Sequence, residues 1–375
     1  MTQRAIVIHS PHSGRSEKLT EAIEYLKQTG VEVVNTISIA DLDDLPAQGP
    51  TWKKSGIDVA IAAGGDGSVG GVISHIANSG LPLGILPLGT SNDIARSLHI
   101  PEDLQAAAQV IAQGVEQGVD VGVAQPAAQV PPLATKHPSG PLPQPGVPQT
   151  YGYFAHALTV GINVQFARIA TNVATRKRFG RMTYMVAAVE TWVKHEALDL
   201  QLEFEGLAMP HATTSVQQQT PPASATPELH TSLRCRALQV AVINTPIFGG
   251  QRELAVPDSS DTDRLLDIVV IEQMDAGTLG KSIAHLLGPK GDTDLPVPAG
   301  EKRTFTHSPA ELSGFPGIHH VQAAGVTITT SADPQHATLD GEVRGQTPMY
   351  VHVADKQIRV KVPDQEVASP GTEAH

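Results

Sequence analysis

From Arg4 to Gly122, short apolar runs alternate with segments of helical period, and this alternation is what most narrows the choice of fold. AIVIHS reads as a strand, with a loop from Pro11 to Gly14 behind it. Glu17 to Gln28 has a helical pattern that Gly30 stops, and VEVVNTIS is a second strand. The apolar run Asp58 to Gly64 leads to a helix from Val69 to Asn78. LPLGILPLG gives another strand, and Ile94 to Leu98 and Leu104 to Gln113 read as helices. Strand, helix, strand at this spacing predicts a parallel sheet with helices on its faces.

Later in the chain the signal changes to consecutive strands: YFAHALTVGI, LDLQLEFEG, LRCRALQVAVINT, LLDIVVIEQ, VTITTS and YVHVADKQIRVKV, with one helix over 181–195. The expected architecture is an N-terminal doubly wound α/β domain over residues 1–122 and a C-terminal β-rich, sandwich-like domain over 151–362. The last strands are free to return to the first domain, and a site is expected in the cleft between the two. Residues 123–150 and 209–230 are rich in Pro, Ala and Gln. Such composition buries too little apolar surface to repay ordering, so both read as disordered insertions. Residues 363–375 read as a polar tail.

The sharpest local feature is AAGGDGS, Ala62 to Ser68, set between a buried strand and a helix. Gly64, Gly65 and Gly67 let the backbone take positive φ and point several N–H groups at one spot, and Ser68 opens the helix. The helix adds the positive end of its dipole. The result is a phosphate cradle, which makes the first domain nucleotide-binding. Asp66 is the odd member, because a carboxylate repels phosphates unless a divalent cation lies between them; it is read as organising Mg²⁺ on the nucleotide. The plain alternative is a tight turn with Asp66 as a helix cap. Two look-alikes fail. Gly65, Gly67 and Gly70 satisfy the dinucleotide fingerprint, but no acid follows at the end of the next strand. Gly280-Lys281-Ser282 resembles the end of a P-loop, but Asp275 stands where its first glycine belongs, and an ordinary helix over 279–287 is expected. A second strand-to-helix junction, LPLGTSNDIAR from Leu86 to Arg96, offers the Thr90 and Ser91 hydroxyls, with Asn92 or Asp93 to cap the helix.

GGDGS followed by PLGTSNDIAR resembles the catalytic domain of the diacylglycerol kinase family, which includes sphingosine kinases and bacterial soluble lipid kinases. Ser10-Pro11-His12-Ser13-Gly14 is similar to its Asn-Pro-x-Ser-Gly loop, with Ser10 for Asn. Asn244 to Gly250 and VPDSSDTDRLLDIVVI resemble a later region of the family, and LDGE, Leu339 to Glu342, its late Asp-Gly-Glu motif. The resemblance implies an ATP site built from Ser10, Pro11, His12, Ser13, Gly14, Thr36, Gly65, Asp66, Gly67, Ser68, Val69, Gly70, Gly71 and Thr90. It implies Glu342 as proton acceptor, and a structural Mg²⁺ held by Asp263 with the carbonyls of Ser260 and Leu265. The chain departs from the family at Gly70-Gly71, where Asn-Glu is usual, and at Thr262-Asp263-Arg264, where Asp-Asp-Gly is usual. Phosphoryl transfer independently requires phosphate positioning, charge neutralisation and a base, and the glycine loops, Asp66 and the Asp340/Glu342 pair offer one candidate for each. On its own, Asp340-Gly341-Glu342 also reads as a β-turn between strands.

The expected activity is ATP-dependent phosphorylation of a lipid hydroxyl, with diacylglycerol converted to phosphatidic acid in phospholipid biosynthesis. The rivals are a sphingoid-base or other lipid kinase, an NAD-kinase-like kinase of a soluble substrate, and a catalytically silent lipid-binding relative. A net charge of -12 argues against nucleic acid as a partner. It also means that contact with an anionic membrane needs a local basic patch, for which Arg176, Lys177, Arg178 and Arg181 are candidates. The opening residues do not read as a signal peptide, and no run of eighteen apolar residues predicts a membrane span. Cys235, the single cysteine, excludes a disulfide framework and suits a reducing, cytoplasmic interior, with peripheral contact at the inner face of the membrane. A homodimer is compatible with all of this.

Overall fold

The computed structural model describes residues 2–11, 13–42, 45–127, 151–161, 197–208, 231–248, 254–255, 259–273 and 318–364. The first part runs β1 (Gln3–His9), α1 (Leu19–Gln28), β2 (Val31–Ser38), α2 (Gly49–Lys54), β3 (Val59–Gly64), α3 (Asp66–Ile76), β4 (Leu83–Pro87), α4 (Asp93–Ser97), α5 (Leu104–Gln113) and β5 (Val115–Val119). The second part runs β6 (Gly122–Pro126), β7 (Gly152–Phe154), β8 (Ala157–Gly161), β9 (Leu198–Leu207), β10 (Thr231–Ile243), β11 (Ile247–Phe248), β12 (Leu254–Ala255) and β13 (Leu266–Glu272). It ends with β14 (Ile318–Thr330), β15 (His336–Leu339), β16 (Glu342–Gln346), β17 (Met349–Val353) and β18 (Ile358–Val362).

Strands β2-β1-β3-β4-β18-β5 form a 6-stranded sheet, parallel from β2 to β18 and antiparallel between β18 and β5. Every residue of β3 and β4 is buried, as a parallel sheet covered on both faces requires. The other large sheet is antiparallel, ordered β16-β15-β8-β10-β13-β14-β17-β6-β7, with β9 pairing β10 and β14. It curls until its ends meet. The ring of Tyr151 fills the space over Gly345, where a Cβ would stand 2.4 Å from the ring. The inward side chains of this sheet, among them Phe154, Leu202, Val240, Ile268 and Met349, form one core.

Helix α3 lies between the two layers, packing on β3 and on β7, and its residues are buried nearly all round. Two short passages join the sheets. Asp120 and Val121 carry the chain from β5 into β6, and residues 354–357 carry it back from β17 to β18. The passages are hydrogen-bonded to each other, Ala354 N–H donating to the carbonyl of Val121 at 2.8 Å.

Several details differ from the sequence reading. Helix α3 starts at Asp66 rather than Val69, so Asp66, Gly67 and Ser68 are its first turn. YFAHALTVGI is two strands broken at Ala155 and His156, because the buried carboxylate of Asp340 captures the amides at the break. YVHVADKQIRVKV, continuous in pattern, divides between the two sheets at residues 354–357. Residues 123–126, assigned to the first insertion, belong to β6, where pairing with β17 gives their amides partners that composition does not reveal. Residues 128–150 of that insertion, the one over 209–230, the helices over 181–195 and 279–287, the basic cluster and His12 lie outside the described residues.

Candidate active site

Three loops at the carboxyl ends of β1, β3 and β4 close on one another. Ser10 N–H donates to Ala63 O at 3.3 Å, Leu88 N–H to Gly64 O at 3.0 Å, and Arg15 N–H to Leu88 O at 2.9 Å. Glycine is needed where these loops touch. A Cβ on Gly89 would stand 2.4 Å from Gly65 Cα, and one on Gly14 would stand 2.7 Å from Thr90 Oγ1. Gly65 precedes α3, whose first-turn amides receive no side-chain cap from it. Gly14, Gly64, Gly65, Ser68 and Thr90 are thus gathered at the amide end of α3, beside the loop carrying Ser10, Pro11 and Ser13. Thr36 is not among them; it stands exposed on edge strand β2, its N–H held by Asn35 Oδ1 at 2.8 Å.

Asp66 caps a helix, but not its own. Its Oδ1 accepts the N–H of Ile94 at 2.9 Å, at the start of α4. Neither Asn92 nor Asp93 performs that cap. Asn92 is left-handed at φ 52 and folds back on Gly89, Oδ1 accepting its N–H at 2.9 Å. Asp66 therefore ties together the two loops that the sequence marked separately.

The acid motif arrives from the other sheet. Leu339 pairs with Glu342 across β15 and β16, leaving Asp340 and Gly341 as a two-residue hairpin with φ 47 and 85, the I′ pattern. The turn reading and the site reading are both realised. The two carboxylates nonetheless have different surroundings. Asp340 is buried, accepting N–H groups of Ala155 at 2.9 Å, His156 at 2.9 Å and Ala157 at 3.0 Å. Burial raises its pKa to about 6, against the opposing pull of His156 and the three amides. Asp340 is an anchor for the hairpin.

Glu342 is half exposed and paired with Arg344. Its Oε1 lies 3.2 Å from where a Cβ on Gly67 would sit, so the hairpin sets a carboxylate over the first turn of α3. Gly70 explains itself in the same way: a Cβ there would be 2.3 Å from Asp340 Oδ2, and one on Gly71 would press on Ile39 at 3.0 Å. Each interior glycine costs a helix about 1 kcal/mol, which is offset here by the close seating of the hairpin. Beside Glu342 opens a cleft of about 470 Å³, lined by Ile39, Leu45, Gly71, Ser74, Tyr151 and Arg344 among others.

Sequence reasoning missed a buried polar cluster behind the hairpin. His156 Nδ1 is 2.7 Å from Thr245 Oγ1, and its Nε2 is 3.6 Å from Asp93, which Arg96 approaches at 3.7 Å. Asn244 donates to Asp120 O at 2.7 Å and to Ala155 O at 2.9 Å. Asn244, Asp93 and Arg96 stood in motifs already singled out; His156 carried no signal, and it meets Thr245 across 89 positions.

The loop expected to hold a structural Mg²⁺ is built differently. Asp263 is exposed and turns its carboxylate onto its own loop, accepting the N–H of Leu265 at 3.0 Å, while Ser260 Oγ meets Thr262 Oγ1 at 3.1 Å. The buried carboxylate nearby, Asp120, is filled by Arg264 through its N–H at 2.7 Å and its guanidinium at 2.9 Å. Among the described residues no three His, Cys, Asp or Glu side chains gather to hold a metal. Ser260, Asp263 and Leu265 do not fit that ion, because the Asp263 carboxylate is turned onto the Leu265 N–H and the neighbouring Asp120 carboxylate is already answered by the Arg264 guanidinium.

Comparison with known proteins finds similarity over both parts of the chain. Residues 4–124 match the model of the diacylglycerol kinase catalytic domain, and residues 157–289 that of the YegS C-terminal NAD kinase beta sandwich-like domain. A diacylglycerol kinase of Staphylococcus aureus (strain bovine RF122 / ET3-1) is 23% identical over 369 residues, covering 97% of this chain and 94% of the relative. The crystal structure of a diacylglycerol kinase from Bacillus anthracis str. Sterne superposes with a TM-score of 0.55 at 17% identity, over 97% of this chain and 98% of that one. Another crystal structure from that organism gives a TM-score of 0.60, also at 17% identity, over 97% of this chain and 96% of that one.

Proposed function

We propose that the chain, whose residues 4–124 match the diacylglycerol kinase catalytic domain, transfers the γ-phosphoryl group of ATP to a lipid hydroxyl, diacylglycerol being the acceptor that yields phosphatidic acid. The observation that carries this reading is the Glu342 carboxylate standing over Gly67, at the amide end of α3. A base and a phosphate-binding helix start are thereby neighbours, although they stand 275 positions apart in the sequence.

In this reading the α3 amides and the glycine surfaces of Gly14, Gly65 and Gly89 receive the phosphates. The acceptor oxygen forms a bond to the γ-phosphorus as the bond from that phosphorus to the β,γ-bridging oxygen breaks. ADP leaves with that electron pair, and the acceptor proton passes to Glu342. The second oxygen of Asp66 has no hydrogen bond to the described residues, so Asp66 suits the Mg²⁺ that accompanies ATP. That ion, when bound, supplies charge neutralisation on the phosphates. The cleft beside Glu342, with Ile39, Leu45 and Tyr151 on its walls, suits the glycerol end of an acceptor whose tails stay in a bilayer. The reading adds a peripheral encounter at the cytoplasmic face, because an acceptor whose tails stay in a bilayer is met at its surface; none of the described helices is long and apolar enough to cross a membrane.

The test uses γ-labelled ATP with vesicles containing diacylglycerol, with sphingosine vesicles and soluble NAD as alternative acceptors. Label extracted into the organic phase as phosphatidic acid is the expected result. Label on sphingosine or on NAD instead would move the substrate to those classes. Vesicle binding without any transfer would make the protein a silent lipid-binding relative.

A further inference from the structure

The half-exposed guanidinium of Arg264 sits where the two passages between the sheets meet. Its Nη1 donates to Asp120 Oδ1 at 2.9 Å and its Nη2 to the carbonyl of Ala354 at 2.6 Å. Its own backbone N–H donates to Asp120 Oδ2 at 2.7 Å. Asp120 belongs to the passage out of the first sheet and is fully buried; Ala354 belongs to the passage back. Asp120 also draws in the 259–265 loop, its N–H donating to Asp261 O at 2.7 Å. Arg264 reaches all three strands of this knot with a left-handed backbone at φ 65, a conformation that an arginine adopts at a cost. The contacts it gains account for that cost.

From this knot a path of hydrogen bonds leads to Glu342. The Asn244 amide group spans Asp120 O and Ala155 O. Ala155 N–H donates to Asp340, and Asp340 begins the turn that presents Glu342 to Gly67. We infer that Arg264 is a positioning residue: its guanidinium locks the two inter-sheet passages, holds the Glu342 hairpin in register on α3, and makes the 259–265 loop independent of a divalent cation. The claim about Glu342 rests on the function proposed above, whereas the lock itself does not.

The informative substitution is R264G, because glycine accepts φ 65 without strain and removes the side chain that carries the guanidinium. Removing one partner of a buried ion pair is among the more damaging single changes, tempered here by the exposure of the arginine, so Tm should fall by roughly 5–10 °C. Added guanidinium ion at low millimolar concentration should recover part of that loss, while sodium at equal ionic strength should not. Wild-type Tm, measured without nucleotide, should be the same in Mg²⁺ and in chelator. In the transfer assay R264G should lower kcat at least tenfold with the KM for ATP little changed, because the nucleotide loops belong to the first sheet. R264K, which can keep one contact of the three, should fall between wild type and R264G in Tm and provides the measurement if R264G does not fold. The lock is overturned by an R264G or R264K Tm within about 1 °C of wild type, by the absence of guanidinium rescue, or by a wild-type Tm that drops in chelator. If no lipid is phosphorylated by wild type, the proposed function fails, and the Tm and rescue measurements still decide the lock.

Discussion

Asp340 and Glu342 are two residues apart, yet their environments assign them different work. Asp340 accepts two amides on Oδ1 and one on Oδ2, so it can be replaced by asparagine only with an NH₂ group facing a backbone N–H. D340N is therefore expected to lose about 1–3 kcal/mol of stability, read by chemical denaturation. The pKa of Asp340 is raised to about 6 in the fold, so its contribution to stability is fully present below the ordinary carboxylate range and is lost as the pH rises through about 6. D340N should abolish that slope. E342Q should leave stability unchanged, because Glu342 is half exposed and touches little beyond Arg344. Its kcat should fall about 10²–10⁴-fold, the usual share of a general base. An active E342Q beside a stable, inactive D340N would exchange the two roles.

At the scale of elements, the site is a meeting of two helix starts and one hairpin. Asp66 stands in the first turn of α3 and caps α4, which has no side-chain cap of its own. If Asp66 only organised Mg²⁺, D66A would inactivate the protein and leave the fold intact. The geometry adds a cost, since losing the cap should remove about 0.5–2 kcal/mol. D66N separates the two roles, because the asparagine oxygen can still receive Ile94 N–H but brings no charge. It should keep the wild-type Tm and lose turnover at every Mg²⁺ concentration. Wild-type rates in D66N would show that the carboxylate serves the cap alone.

At the scale of the whole molecule, the second sheet begins and ends next to the first. Strands β6 and β7 pair antiparallel, and Tyr151 N–H donates to Ala124 O at 2.8 Å, so the chain on either side of residues 128–150 is already adjacent. Replacing those residues with a short Gly/Ser turn should change Tm by no more than a few degrees, because loop closure varies only slowly with length. A large drop in the melting curve would mean that the replaced segment packs on the body.

The residues alone determined the alternation of the first sheet and marked the glycine loop and LDGE as candidates, because the first depends on local periodicity and the others on short motifs. The loop's glycines are needed for close approach rather than positive φ, Gly65 standing at φ -97. They could not divide YVHVADKQIRVKV between two sheets, since an apolar strand pattern does not say which partner it will meet. The family resemblance implied an ion among Ser260, Asp263 and Leu265, whereas the fold brings Arg264 to Asp120, 144 positions away, and answers the buried charge with a side chain. The residues alone paired Asp340 with Glu342 as like groups. The difference between them arises only when Ala155, His156 and Ala157 turn their amides onto one carboxylate and the hairpin leaves the other over Gly67. Local chemistry can be read along the chain, but burial and charge pairing are properties of neighbours that only folding brings together.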